Sequence, residues 1–136
     1  MPIKAVHVVL CIVAFSVTGL VEAQSEQAAS RISQQELMQR MDAQTDMLIL
    51  DVRTPAEFST GHIPGAINIP HMELPSRLRE VQPHRAKEVV VYCEAGGRAG
   101  IAEHVLREAG FANVRHLAGD MAAWRRTTLP IATPTR

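Results

Sequence analysis

The stretch Val91-Tyr92-Cys93-Glu94-Ala95-Gly96-Gly97-Arg98-Ala99 sets a nucleophile, a pair of glycines and a cation close together. Sulfur attacks as a thiolate, and helix N-termini and nearby cations favour that form over the thiol. Val89-Val90-Val91-Tyr92 is apolar on both faces and mostly β-branched, as a central parallel strand is, and it runs directly into Cys93. From Arg98 the pattern turns helical. A residue between the end of a buried strand and a helix sits where open α/β sheets place ligands. Gly96 and Gly97 let the chain curl round the sulfur. Converging N–H groups, the positive end of the following helix and Arg98 then form a cradle for negative charge. The expectation is a stabilised Cys93 thiolate, in a cradle that fits one further anionic atom on it, such as a second sulfur. Glu94, Ala95, Gly96, Gly97, Arg98 and Ala99 are the candidate binding loop.

Sequence around the loop narrows the chemistry. Residues 1–23 read as a secretory signal: Lys4, an apolar run from Ala5 to Val21, and small exit positions at Val21 and Ala23. The expected location is periplasmic or secreted, with an uncleaved membrane anchor as the alternative. Cleavage removes Cys11 and leaves Cys93 as the only thiol, so an internal disulfide is impossible and an odd, reactive thiol is expected in an exported chain. A thiol–disulfide oxidoreductase is disfavoured because Cys93 has no C-x-x-C partner. His71, His84, His104 and His116 show no metal-ligand spacing among themselves or with Cys93, so no metal is expected.

The elements that must position Cys93 follow from the patterns. At 136 residues, 46% apolar and 21% charged, the chain has the composition of one globular domain. Its formal net charge of +0 and 4% aromatic content disfavour nucleic acid or an anionic membrane as partner. We read 24–30 as linker, 31–130 as the folded domain and 131–136 as a tail. Ser33 caps a helix to about Asp42, with Glu36 closing the box and Ile32 stapled onto Leu37. Met47–Leu50 is a buried strand ending at Asp51, and Thr54, Pro55 and Glu57 start a short helix that stops near Gly61. Ala66–Ile69 and Val114–Leu117 are further strands. Glu73–Val81, a helix from Arg98 with Ile101, Ala102, Val105, Leu106 and Ala109 on one side, and Met121–Thr127 with core Trp124 are further helices. Short strands alternating with helices predict an α/β fold, a central parallel sheet of about five short strands flanked by helices on both faces.

On these residues the sequence resembles the single-domain rhodaneses, a sulfurtransferase family. The family's active-site pattern is similar to Cys93, Gly96 and Arg98. Its upstream signature is similar to Asp51-Val52-Arg53, then Glu57-Phe58, then Gly61 through Pro70. Its closing segment is similar to Gly119 through Trp124 and Leu129-Pro130. The resemblance runs from about Ile32 to Pro130 and implies a ping-pong cycle. Cys93 takes sulfane sulfur from a small donor, thiosulfate or a persulfide, and passes it to a thiol or cyanide acceptor. It also implies that amides from Glu94 to Ala99 hold the persulfide, that Arg98 orients donor and loop, and that no cofactor is required. We expect a monomer. Where many rhodaneses carry a basic residue and a Ser or Thr, this chain has Glu94 and Ala99. Glu94 beside the mouth is expected to oppose a dianionic donor.

Other readings compete at particular residues. A related dual-specificity phosphatase resembles this pattern but spaces Cys and Arg by five residues, where only Glu94 through Gly97 separate Cys93 from Arg98, a loop too small for tetrahedral phosphate. A sulfur-carrier or partner-binding module is the non-catalytic alternative. Asp51 and Arg53 fit either an ion pair that fixes loops or a substrate contact. Glu57 reads as a cap and not an acid catalyst, and His62 as a structural hydrogen-bonding residue.

Overall fold

Val89, Val90 and Val91 are each fully buried, and they form the axis of the fold. In the computed structural model, which describes residues 30–134, they belong to β4 (Glu88–Tyr92), paired in parallel on both sides. On one side lies β2 (Met47–Asp51), with Leu50 opposite Val91; on the other lies β5 (Asn113–Leu117), with His116 opposite Val91. Two-residue strands close the edges: β1 (Arg31–Ile32) beside β5, and β3 (Ile67–Asn68) beside β2. The order is β1-β5-β4-β2-β3, parallel throughout, the expected architecture.

Side chains alternate across a strand, so β4 feeds two cores. Val89, Val91 and Cys93 join Leu48, Leu50 and Val114 beneath α3 (Leu74–Val81) and α4 (Gly97–Glu108). Val90 and Tyr92 join Ile49 and Leu117 against α1 (Gln34–Asp42) and α5 (Asp120–Trp124), through Leu37, Met121 and Trp124. Each buried Val contributes about 1.5 kcal/mol or more. The strand delivering Cys93 is therefore the best-anchored part of the sheet.

The caps are chemical as well as structural. Thr54 and Glu57 make the complete reciprocal box at the start of α2 (Pro55–Thr60), whereas at α1 only half forms. Ser33 Oγ accepts the Glu36 N–H, but the Glu36 carboxylate is drawn away by Arg40 and Arg115. Gly61 ends α2 at φ +147°, where a Cβ would meet Ile131 Cγ2 at 2.8 Å.

Four expectations change. The strand at Ala66–Ile69 contracts to Ile67–Asn68; a turn bond from Ala66 N–H to Ile63 O takes its first residue, while the Ile69 N–H still reaches Asp51 O at the end of β2. Ile101 is 53% exposed; α4 instead buries Ala99, Ala102 and Leu106, a spacing that keeps one stripe inward and turns Ile101 away. Arg31–Ile32 is a strand and not merely the approach to a cap. Pairing also runs past the expected boundary at 130, because His62 and Ala132 exchange backbone hydrogen bonds of 2.9 Å. The expected signal at 1–23, most of the linker, and residues 135 and 136 lie outside the described residues. Among the described residues no helix is long and apolar enough to cross a membrane.

Candidate active site

β4 ends by placing Cys93, 1% exposed, on the floor of the loop that leads into α4. Gly96 turns the chain there at φ +106°, backbone that an L side chain rarely adopts, and its N–H donates to Cys93 Sγ at 3.0 Å. The carbonyls of Cys93 and Glu94 face the other way and accept the N–H groups of Met121 and Ala122 at 3.0 Å. The start of α5 thus clamps the loop from outside. Of the amides expected to form the cradle, that of Gly96 is the one bonded to the sulfur here.

Arg98 lies one turn further on, and its guanidinium is forked onto Glu57, Nη1 to Oε2 at 2.7 Å and Nη2 to Oε1 at 2.8 Å. The same carboxylate accepts the Thr54 N–H and hydroxyl. Arg98 first, then Thr54, holds the Glu57 carboxyl well below the usual carboxylate range. Glu57 first, and Cys93 more weakly, raises Arg98. The cap expected of Glu57 is present, and it has a second use: it holds the Arg98 guanidinium at the start of α4. Sequence reasoning missed that pairing, and no local signal marks it.

Asp51 and Arg53 form a fully buried pair, Nη2 to Oδ2 at 2.6 Å. Arg53 Nη2 also donates to Gly61 O at 2.8 Å, and its guanidinium carbon stands 5.8 Å from the centre of the Tyr92 ring. Burial first, then Asp51, raises the Tyr92 phenol, so it stays protonated while accepting the Ile63 N–H. These contacts are the ones the loop-fixing reading of Asp51 and Arg53 calls for. His62 is likewise structural: its Nδ1 bonds Phe58 O at 3.0 Å, and its ring stacks on Phe58 at 3.6 Å.

Glu94 does not stand as a bare charge at the mouth. One oxygen is bound by Arg125, and the other lies 3.6 Å from Arg53 Nη1. The Glu94 carboxylate is thus set between two cations. Ala95 and Gly97 are exposed, and Ala99 is buried in the α4 core. Beneath the loop lies a group that sequence reasoning left without a role. The Cys93 N–H donates to Asp120 Oδ1 at 2.9 Å, and His116 Nε2 is 3.0 Å from both Asp120 oxygens. Among the described residues no three His, Cys, Asp or Glu side chains could hold a metal ion.

Comparison with known proteins gives a consistent result. The rhodanese-like domain family matches residues 33–127. A sulfurtransferase of Allochromatium vinosum is 38% identical over 105 residues, covering 77% of this chain and 96% of its own length. Thiosulfate sulfurtransferase PspE of Escherichia coli K12 is 39% identical over 70 residues, 52% of this chain and 67% of its own. The crystal structure of a full-length Lactobacillus plantarum protein superposes with TM-score 0.74 at 32% identity, covering 86% of this chain and 98% of that one.

Proposed function

The chain belongs to the rhodanese-like domain family, its reaction class is sulfur transfer, and we propose that it moves sulfane sulfur through a persulfide on Cys93. The observation that carries this is the Gly96 N–H on Cys93 Sγ at 3.0 Å. Preorganised donors aimed at a sulfur that stays anionic through the cycle stabilise both its forms. The thiolate attacks the outer sulfur of thiosulfate, a new S–S bond forms, and the old one breaks with its electron pair on sulfite. An acceptor, cyanide or a thiolate, then attacks the outer sulfur of the persulfide and leaves as thiocyanate or a persulfide, returning the Cys93 thiolate. No separate base is needed in either half. The thiosulfate sulfurtransferase named among the relatives supports thiosulfate as donor.

The test is mass spectrometry of residues 24–136 after exposure to thiosulfate. One sulfur atom is gained, cyanide removes it as thiocyanate, and Cys93→Ser gains none; an adduct retained in the Ser variant, or none in the wild type, overturns the assignment. One observation favours the sulfur-carrier reading: at 1% exposure Cys93 is hard for free acceptors to reach. A persulfide that resists cyanide and yields only to a protein thiol would select that reading. Export rests on the leader pattern of residues 1–23, and N-terminal sequencing of protein from a periplasmic extract, starting at Gln24, tests it.

A further inference from the structure

Asp120 has φ +51°, a left-handed conformation that persists in a non-glycine residue only where its surroundings impose it. A chain of charged side chains imposes it here. Asp120 Oδ1 accepts the Cys93 N–H at 2.9 Å; His116 Nε2 meets both Asp120 oxygens at 3.0 Å; His116 Nδ1 meets Glu103 Oε2 at 3.1 Å. The Asp120 and His116 side chains are 6% and 8% exposed. Gly96, whose N–H holds the sulfur, packs on the same group: a Cβ there would lie 3.2 Å from Asp120 Oδ2 and 3.6 Å from His116 Cε1. The carboxylate therefore anchors the backbone of the nucleophile from directly beneath the cradle. Unopposed, it would disfavour thiolate and persulfide alike, because like charges disfavour the ionised form.

We propose that His116 is a positioning residue for sulfur transfer: as an imidazolium clamped between Asp120 and Glu103, it neutralises the carboxylate that anchors Cys93, so the loop is held without net charge set against the reacting sulfur. This rests on the persulfide reading of Cys93. The surrounding elements agree with it. From α4 come Glu103 and, bound to it at 3.2 Å, Arg107; from α5 comes Asp120; from the loop comes Cys93. β4 contributes apolar Val91, β1 contributes exposed Arg31 opposite in register, and Ser30 just before β1 accepts the His116 backbone N–H through its carbonyl. Arg107, Glu103, His116 and Asp120 thus alternate in sign and sum to neutrality while His116 is protonated. Asp120 and Glu103 push the imidazole up to about 9 against the cost of its burial.

Two substitutions separate charge from structure. His116→Gln keeps hydrogen-bonding capacity and removes the cation; Asp120→Asn keeps an acceptor for the Cys93 N–H and removes the anion. The first measurement is the rate at which iodoacetamide alkylates Cys93 at neutral pH, which requires no sulfur chemistry; the second is kcat and KM for thiosulfate across pH. His116→Gln is expected to slow alkylation about tenfold, because the Asp120 charge beneath the sulfur is left uncompensated, and to lower kcat with little change in KM. It is also expected to remove a decline of kcat that the proposal predicts for the wild type above about pH 9, where the imidazolium discharges. Adding Asp120→Asn to His116→Gln restores alkylation to within about threefold of wild type, since the two charges are coupled. Wild-type alkylation by the His116→Gln variant, or a double variant as slow as the single one, overturns the proposal. If His116→Gln does not fold, Glu103→Gln decides: it moves the decline in kcat below pH 9, and an unmoved profile overturns the proposal. A wild type that alkylates at Cys93 but accepts no sulfur refutes the persulfide reading instead, and the alkylation comparison still decides the role of His116.

Discussion

Gly96→Ala and Gly97→Ala are neighbouring substitutions of identical chemistry with opposite expected signs. At Gly96 the backbone sits at φ +106° and ψ −25°, and holding an L-residue in such a region costs about 1–3 kcal/mol. Its new methyl would also meet Asp120 Oδ2 at 3.2 Å, so the carboxylate that anchors Cys93 must shift by a few tenths of an ångström. At Gly97 nothing lies within 4 Å of the added carbon, and the residue is the first of a helix, where Ala in place of Gly stabilises by up to about 1 kcal/mol. Together these give a stability gap of about 1–4 kcal/mol between the variants. In a domain of this size that is about 4 °C or more in Tm, read by thermal unfolding and checked by the urea midpoint at unchanged slope. Gly96→Ala also loads sulfur from thiosulfate more slowly, because its N–H is displaced from Sγ. A Gly96→Ala protein as stable as wild type, or one more stable than Gly97→Ala, refutes the loop geometry on which the site depends.

Asp51→Asn leaves the fully buried Arg53 guanidinium with Glu94 at 3.6 Å as its remaining anion, and losing one partner of a buried pair costs about 3–5 kcal/mol; urea unfolding that shows a loss under about 1 kcal/mol would contradict that burial. His116 ties stability to pH. Its folded value, raised from 6.5 to about 9 by Asp120 and Glu103, means the contribution is fully present below pH 6.5 and is lost as pH rises through about 9, at most about 3 kcal/mol. The urea midpoint of the wild type should fall over that interval, and that of His116→Gln should stay flat across it; parallel curves for the two proteins would exclude the effect.

Where chemistry and local pattern coincide, the chain is legible. Cys93 between a valine strand and a glycine turn, and Thr54 with Pro55 and Glu57, are read correctly because the determinants are neighbours in sequence and each has a local physical role. What escapes is assembled across the sheet. Glu57 and Arg98 are 41 positions apart, and the cap hides the pair, since one carboxylate serves both. His116 and Asp120 are four apart, but a strand end and a helix start separate them, and only the clamp of α5 on the loop brings them under Cys93. Glu94 is half legible for the same reason: its charge is visible in the sequence, and the two arginines beside it are not. Ile101 shows the limit of apolar counting, because three small or branched residues on α4 already fill the face toward the sheet.

The depth at which Cys93 lies also governs its side reactions. A disulfide between two molecules requires sulfurs about 2.05 Å apart, and a thiol with 1% exposure, roofed by its own backbone, cannot be brought that close to its twin. A lone thiol that would dimerise on an open surface is shielded here by its socket, so in an oxidising medium two copies of the chain are kept from coupling through it.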